Sequence, residues 1–216
     1  EALAGESDAA GGKTEEVLRV KPVGGIILFG NNIKNKKQLT EMTDNLQSFS
    51  KVPLFIGVDE EGGDVAILAN NGEFGTTKFS SPAEMKNGQA VYDAYKTIAT
   101  EIKGFGINVN FAPVADVLTN ENNTEIGKRS FGKDADDVAE KTASAVSGLH
   151  DGGVVAALKH FPGIGSTEND SHAGKSTSQR TLEELRNCEL KPFKTGMEKG
   201  AEFVLVSHMS LKKVTG

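Results

Sequence analysis

An α/β fold built as a (β/α)8 barrel is the architecture this sequence predicts, and three observations carry the expectation. Five short apolar runs are continuous rather than alternating, the pattern of strands buried on both faces. The segments between them repeat apolar residues every three or four positions, as helices do. Polar residues gather just past the ends of several runs, where a barrel assembles its reactive face. An open doubly wound sheet would concentrate its ligand groups at one switch point, and no G-x-G-x-x-G follows any run.

Residues 1–16 (EALAGESDAAGGKTEE) are small, acidic and glycine-rich and read as a flexible start, ahead of a single barrel-type domain over residues 17–216. The strand runs are 24–29 (GGIILF), 53–59 (PLFIGVD), 107–113 (INVNFAP), 154–161 (VVAALKHF) and 202–208 (EFVLVSH). Leu39, Met42, Leu46 and Phe49 mark a helix after the first run. Val91, Tyr95, Ile98 and Ile102 mark the next, with Ser81-Pro82 as its cap and first helical proline. Val138, Ala145 and Leu149 mark a third, stopped by Gly152-Gly153. Thr181 and Glu184 form a capping box that opens another. Alternating strands and helices imply parallel strands joined by right-handed crossovers. Five strands fall short of the eight a barrel needs, and a complete barrel takes about 250 residues. The expectation is therefore an incomplete barrel without its last strands and its first, whose open edges invite self-association.

Composition bounds the function. At 216 residues the chain can bury a core, and 37% hydrophobic with 25% charged residues excludes disorder over most of its length. A net charge of −6 argues against nucleic acid as a partner. No apolar run approaches the roughly 20 residues of a membrane span. A lone Cys188 excludes a disulfide framework and a cysteine zinc cage. Compartment stays open between the cytoplasm and export to the cell envelope.

The densest chemistry lies in residues 159–172 (KHFPGIGSTENDSH), which leave a buried strand through Lys159 and His160 and reach Asp170 and His172. A carboxylate two residues from an imidazole can hold one ring nitrogen and leave the other to shuttle a proton. Asp59, in DEEGG, closes a strand as a carboxylate able to accept hydrogen bonds from a polyol, with glycines that let a ligand approach the backbone. Arg129, in IGKRSFG, lies in a loop after Asp116. Gly174-Lys175-Ser176-Thr177 is not a phosphate loop, because Asn169 stands where that motif needs glycine. His160, His172 and His208 lack metal-ligand spacing, so no metal is expected.

The motifs VGGIILFGNNI, LFIGVDEEGG, GINVNFAPVADV, IGKRSFG, KHFPGIGSTENDSH and AEFVLVSHMS occur in one order across residues 23–211. On them the chain resembles the catalytic domain of glycoside hydrolase family 3, in its bacterial β-N-acetylglucosaminidase branch. The resemblance implies a barrel, no cofactor, a small carbohydrate substrate, and retaining exo-cleavage of β-linked N-acetylglucosamine in peptidoglycan-derived sugars. It implies His172 as acid/base with Asp170 as its partner, and Asp59, Arg129, Lys159 and His160 as the groups that bind the sugar. The nucleophilic aspartate of the family sits on a later strand and is expected beyond Gly216, so these residues alone are expected to be inactive. Asp64 and Ile67 stand where the family usually has arginine, and Ile164 replaces a polar residue. Asp64 and Ile67 suggest one alternative, a non-catalytic sugar-binding relative; a second is a family 3 β-glucosidase, against which the DSH triplet argues.

Overall fold

A computed structural model describes residues 8–167 and 176–215. The first element, helix α1 (Gly12–Val20), begins inside the segment expected to be loose. Its composition hid a short amphipathic helix: Glu15 and Arg19 pair at 2.7 Å across one turn, while Thr14 and Leu18 are buried.

All five apolar runs are strands. In chain order the elements are β1 (Gly25–Ile27), α2 (Lys36–Phe49), β2 (Phe55–Val58), β3 (Glu60–Gly62), β4 (Val65–Ala66), α3 (Gly88–Lys103) and β5 (Val109–Asn110). They continue with α4 (Ala135–Asp151), β6 (Val155–Phe161), β7 (Ser176–Ser178), α5 (Leu182–Asn187), α6 (Leu190–Glu198), β8 (Phe203–Val206), β9 (Met209–Leu211) and α7 (Lys212–Thr215). The main sheet runs β1-β2-β5-β6-β8, every neighbouring pair parallel. Two minor pairs, antiparallel β3-β4 and parallel β7-β9, form separate two-stranded sheets.

Helix α3 starts later than its proline suggested. Ser81 makes no side-chain cap, and Pro82–Glu84 is a 3-10 turn. The α-helix opens at Gly88, where the Asn87 side chain accepts from the Ala90 N–H and the apolar period of Val91, Tyr95, Ile98 and Ile102 begins. The stop at Gly152-Gly153 falls where expected, Gly153 taking φ +81°.

The sheet is curled. Phe55 on β2 and Phe203 on β8 meet edge to face with ring centroids 5.2 Å apart, although β5 and β6 separate their strands. Helices α3 and α4 pack together on the convex side, and α6 lies against α4. Between helices and sheet sits a continuous core that includes Leu39, Leu46, Ile56, Tyr95, Val146 and Leu158. The concave face differs from the expectation of strands buried on both sides. Ile27, Phe55 and Phe203 are 44%, 48% and 37% exposed around a hollow of about 220 Å³, and Leu205 farther along β8 is 41% exposed. Among the described residues the architecture is thus a half-barrel with β1 and β8 as edges.

Candidate active site

Every parallel strand delivers its C-terminal end to the same rim, and charged side chains meet there. Asp59 follows β2 directly, and the chain then doubles back as the β3-β4 hairpin, with Gly62 at φ +94° and Gly63 at φ +61°. At Gly63 a side chain would strike Ser81, so only glycine fits both the angle and the space. The hairpin is pinned from two sides. The Asn110 side chain on β5 exchanges hydrogen bonds of 3.0 and 2.9 Å with the Glu60 backbone. The Tyr95 hydroxyl on α3 donates to the Glu61 carbonyl at 3.1 Å.

This places Glu61, fully buried, at the centre of the cluster. Arg129 closes a 3-10 turn, Gly127–Arg129, and grips Glu61 bidentately, Nε at 2.9 Å and Nη2 at 2.8 Å. Lys159, near the end of β6, donates to Glu61 at 2.5 Å and also to Asp59. His160 follows, at the cis Lys159-His160 peptide. Its Nδ1 lies 2.7 Å from buried Asp116, and its Nε2 lies 3.4 Å from Arg129 Nη2. The result is one unbroken ladder: Asp59, Lys159, Glu61, Arg129, His160, Asp116.

Burial pushes the Glu61 carboxyl up, but the Arg129 hydrogen bonds and the charges of Lys159 and Arg129 outweigh it and hold the group below the usual carboxylate range. Burial works against the Arg129 charge in the same way, and the bond to Glu61 more than restores it. Glu60 points elsewhere. Its carboxylate accepts from the Leu68 and Ala69 N–H groups at 2.8 and 2.9 Å, and burial raises it to about 7 despite them.

Of the residues expected from sequence, Asp59, Arg129, Lys159 and His160 come together here, while Asp170 and His172 lie outside the described residues. Glu61 and Asp116 are the members that the sequence reading mentioned but gave no role. No local pattern gave them one, because a carboxylate near a strand end does not show which cation from elsewhere in the chain will meet it. Chemically the cluster offers mixed functions over a short span. Lys159 and Arg129 donate, Asp59 accepts, and Asp59, Arg129 and His160 keep 25%, 22% and 17% of their side chains open to a ligand. Dense, fixed donors and acceptors of this kind suit a polyhydroxylated ligand better than an apolar one. Among the described residues no group of three or more metal-binding side chains forms a site.

Comparison with known proteins matches residues 7–216 to the glycosyl hydrolase family 3 N-terminal domain. A curated beta-hexosaminidase from Xanthomonas oryzae pv. oryzae is 33% identical over 204 residues, covering 91% of this chain and 60% of that protein. Beta-hexosaminidase A from Pseudoalteromonas piscicida is 38% identical over 192 residues, 82% of this chain and 31% of the relative. Among solved structures, a family 3 beta-N-acetylglucosaminidase from a Paenibacillus species superposes with a TM-score of 0.88 at 33% identity, over 98% of this chain and 39% of the other. Native NagZ from Neisseria gonorrhoeae gives 0.85 at 30% identity, over 95% and 61%. The chain spans about 60% of the length of the first curated relatives it matches.

Proposed function

We propose, from the premise that the chain belongs to glycoside hydrolase family 3, that the ladder at the strand ends is the sugar-binding subsite of a retaining exo-β-N-acetylglucosaminidase. The observation that carries the reading is the convergence of Asp59, Arg129, Lys159 and His160 on one rim, tied together through Glu61 and Asp116. Lys159 and Arg129 donate to sugar oxygens, and Asp59 and His160 complete the ring of hydroxyl contacts. Fixed by partners of opposite charge, these groups need no reorganisation when the ligand arrives. His172, oriented by Asp170, protonates the departing glycosidic oxygen, and an aspartate nucleophile expected beyond Gly216 forms the covalent intermediate. The substrate is β-linked N-acetylglucosamine of peptidoglycan-derived sugars. Relatives named beta-hexosaminidase support the N-acetylated sugar over glucose.

The test is a titration of the protein with N-acetylglucosamine, with glucose as control, followed by backbone amide NMR. The expected result is saturable shifts centred on residues 59–63, 127–131 and 159–164, larger for the N-acetylated sugar. Replacement of Arg129 by Met should weaken binding at least tenfold, the loss of one charge-assisted bidentate contact. Shifts that leave these segments untouched, or equal affinity for glucose, would count against the reading.

A further inference from the structure

Asp116 sits at the end of the ladder, fully buried, and touches no solvent. Three nitrogens converge on its carboxylate. His160 Nδ1 lies 2.7 Å from Oδ2, the His160 backbone N–H donates to the same oxygen at 3.1 Å, and the Ile164 N–H donates to Oδ1 at 2.7 Å. The Asp116 carbonyl also accepts from the Ser130 hydroxyl at 2.7 Å, next to Arg129 in sequence. One residue thus ties together the end of β6, the turn that follows it and the arginine loop.

The two ring nitrogens of His160 face opposite demands. A carboxylate that already accepts two backbone N–H groups presents only acceptors to Nδ1, so the hydrogen belongs on Nδ1. At the other side, Arg129 Nη2 already spends one hydrogen on Glu61 at 2.8 Å, and Nε2 lies 3.4 Å from that nitrogen. A guanidinium has no lone pair to accept a hydrogen from Nε2, so Nε2 carries none, and a contact as long as 3.4 Å is one that a ligand hydroxyl displaces when it takes that lone pair.

We infer that Asp116 is a positioning residue that holds His160 as the tautomer with hydrogen on Nδ1, so that Nε2 meets the ligand as an acceptor set beside the Arg129 donor. The ligand half of this statement rests on the sugar-binding reading above; the tautomer half does not. Its consequence is a selectivity rule. The ligand must bring a hydroxyl hydrogen to Nε2, and a group of similar size that only accepts cannot replace it.

Ring tautomers are read directly by two-bond nitrogen–proton correlation NMR of the labelled protein, without any substitution. The wild type should show a single Nδ1–H form for His160. In Asp116→Ala the acceptor is gone and the Nε2–H form should appear, an effect that loss of packing alone does not produce. For binding, the probes are N-acetylglucosamine and its single deoxyfluoro analogues, in which fluorine replaces one hydroxyl and cannot donate. One analogue should bind the wild type about tenfold more weakly, the loss of one hydrogen bond to a buried group, and the penalty should vanish in Asp116→Ala. An Nε2–H tautomer in the wild type, a folded Asp116→Ala that keeps Nδ1–H, or equal binding of all analogues overturns the inference. If no sugar binds while the wild type shows Nδ1–H, the sugar reading fails and the Asp116 assignment is supported by itself.

Discussion

Asp59 and Glu61 stand two residues apart in extended backbone and so share a face, with Glu60 on the other. That alternation explains how three adjacent carboxylates acquire three environments. Glu61 is held ionised by Arg129 and Lys159, whereas Glu60 is raised by burial, with Glu101 adding repulsion, to about 7 from an ordinary 4.5. An acid raised in the folded state keeps a proton that the unfolded chain has already released. Its contribution to stability is therefore greatest below about 4.5 and is lost as pH rises towards 7, by roughly 3 kcal/mol in all. Glu60→Gln should flatten the decline of urea stability across that interval, even though its amide can satisfy only one of the two N–H donors. An unchanged slope would sink the assignment. Lys159 gives the opposite test. Lys159→Met leaves Glu61 buried with one cation instead of two, so unfolding should become easier by about 3 kcal/mol, seen as a lower urea midpoint with unchanged m. Asp59, Lys159 and His160 were legible from their places at strand ends, and Arg129, in a loop, only through the family resemblance. The roles of Glu61 and Asp116 were not, because a local pattern shows that a carboxylate is near a strand end but not which cation crosses from another strand to meet it.

Elements were legible wherever one face supplied an uninterrupted signal. The five strands and the helices α2, α3 and α4 follow from runs of residues that are buried in the fold, such as Ile56, Val58, Ile98 and Leu149. The start of α3 was not legible, because proline at a first helical position serves a 3-10 turn as well as an α-helix. The turn after β6 was not legible either, since its order comes from a distant loop. Asn123, buried, donates to the Ile164 carbonyl at 2.7 Å and the Thr167 carbonyl at 3.1 Å, and accepts from the Ile126 N–H at 2.9 Å. Asn120 adds an N–H to the Gly165 carbonyl at 3.0 Å and a side-chain bond to the Thr167 carbonyl at 3.0 Å. Gly165 lies so close to the Val117 carbonyl that no side chain fits between them. Asn123→Ala removes these three hydrogen bonds; the Ile164 and Thr167 carbonyls keep other donors, while the Ile126 N–H loses its Asn123 acceptor, at about 1–3 kcal/mol for a buried group left unsatisfied. Amide exchange at residues 163–167 should speed up by at least tenfold while the amides of α3 and α4 keep their protection. Uniform acceleration across the protein would mean that the loop is not a separately held unit.

At the scale of the molecule, the strand count was legible and closure was not. A continuous apolar run says that both faces of a strand resist water, but it does not say what covers the second face. Here the helices cover the convex side, and the concave side presents Ile27, Phe55 and Phe203 in a partly open apolar hollow, with exposed Leu205 next along β8. Among the described residues the two edges, β1 and β8, flank that hollow with no further strand paired beyond them in the sheet. Apolar surface of this kind favours association, and parallel edges can pair with another chain. A net charge of −6 opposes this only at long range and is screened at physiological salt. The chain should therefore bind an apolar dye such as anilinonaphthalene sulfonate in its folded state, and its mass by light scattering should rise with concentration. Phe203 and Leu205 are two apart on β8 and share the concave side, so the pair Phe203→Lys and Leu205→Lys adds like charges to both the hollow and the edge. That double variant should keep the helical circular dichroism of the parent, lose most of the dye signal and remain monomeric at concentrations where the parent associates. A parent that stays monomeric and dye-free would show that the concave face tolerates water, and that the ring contact of Phe55 with Phe203 is enough to close it.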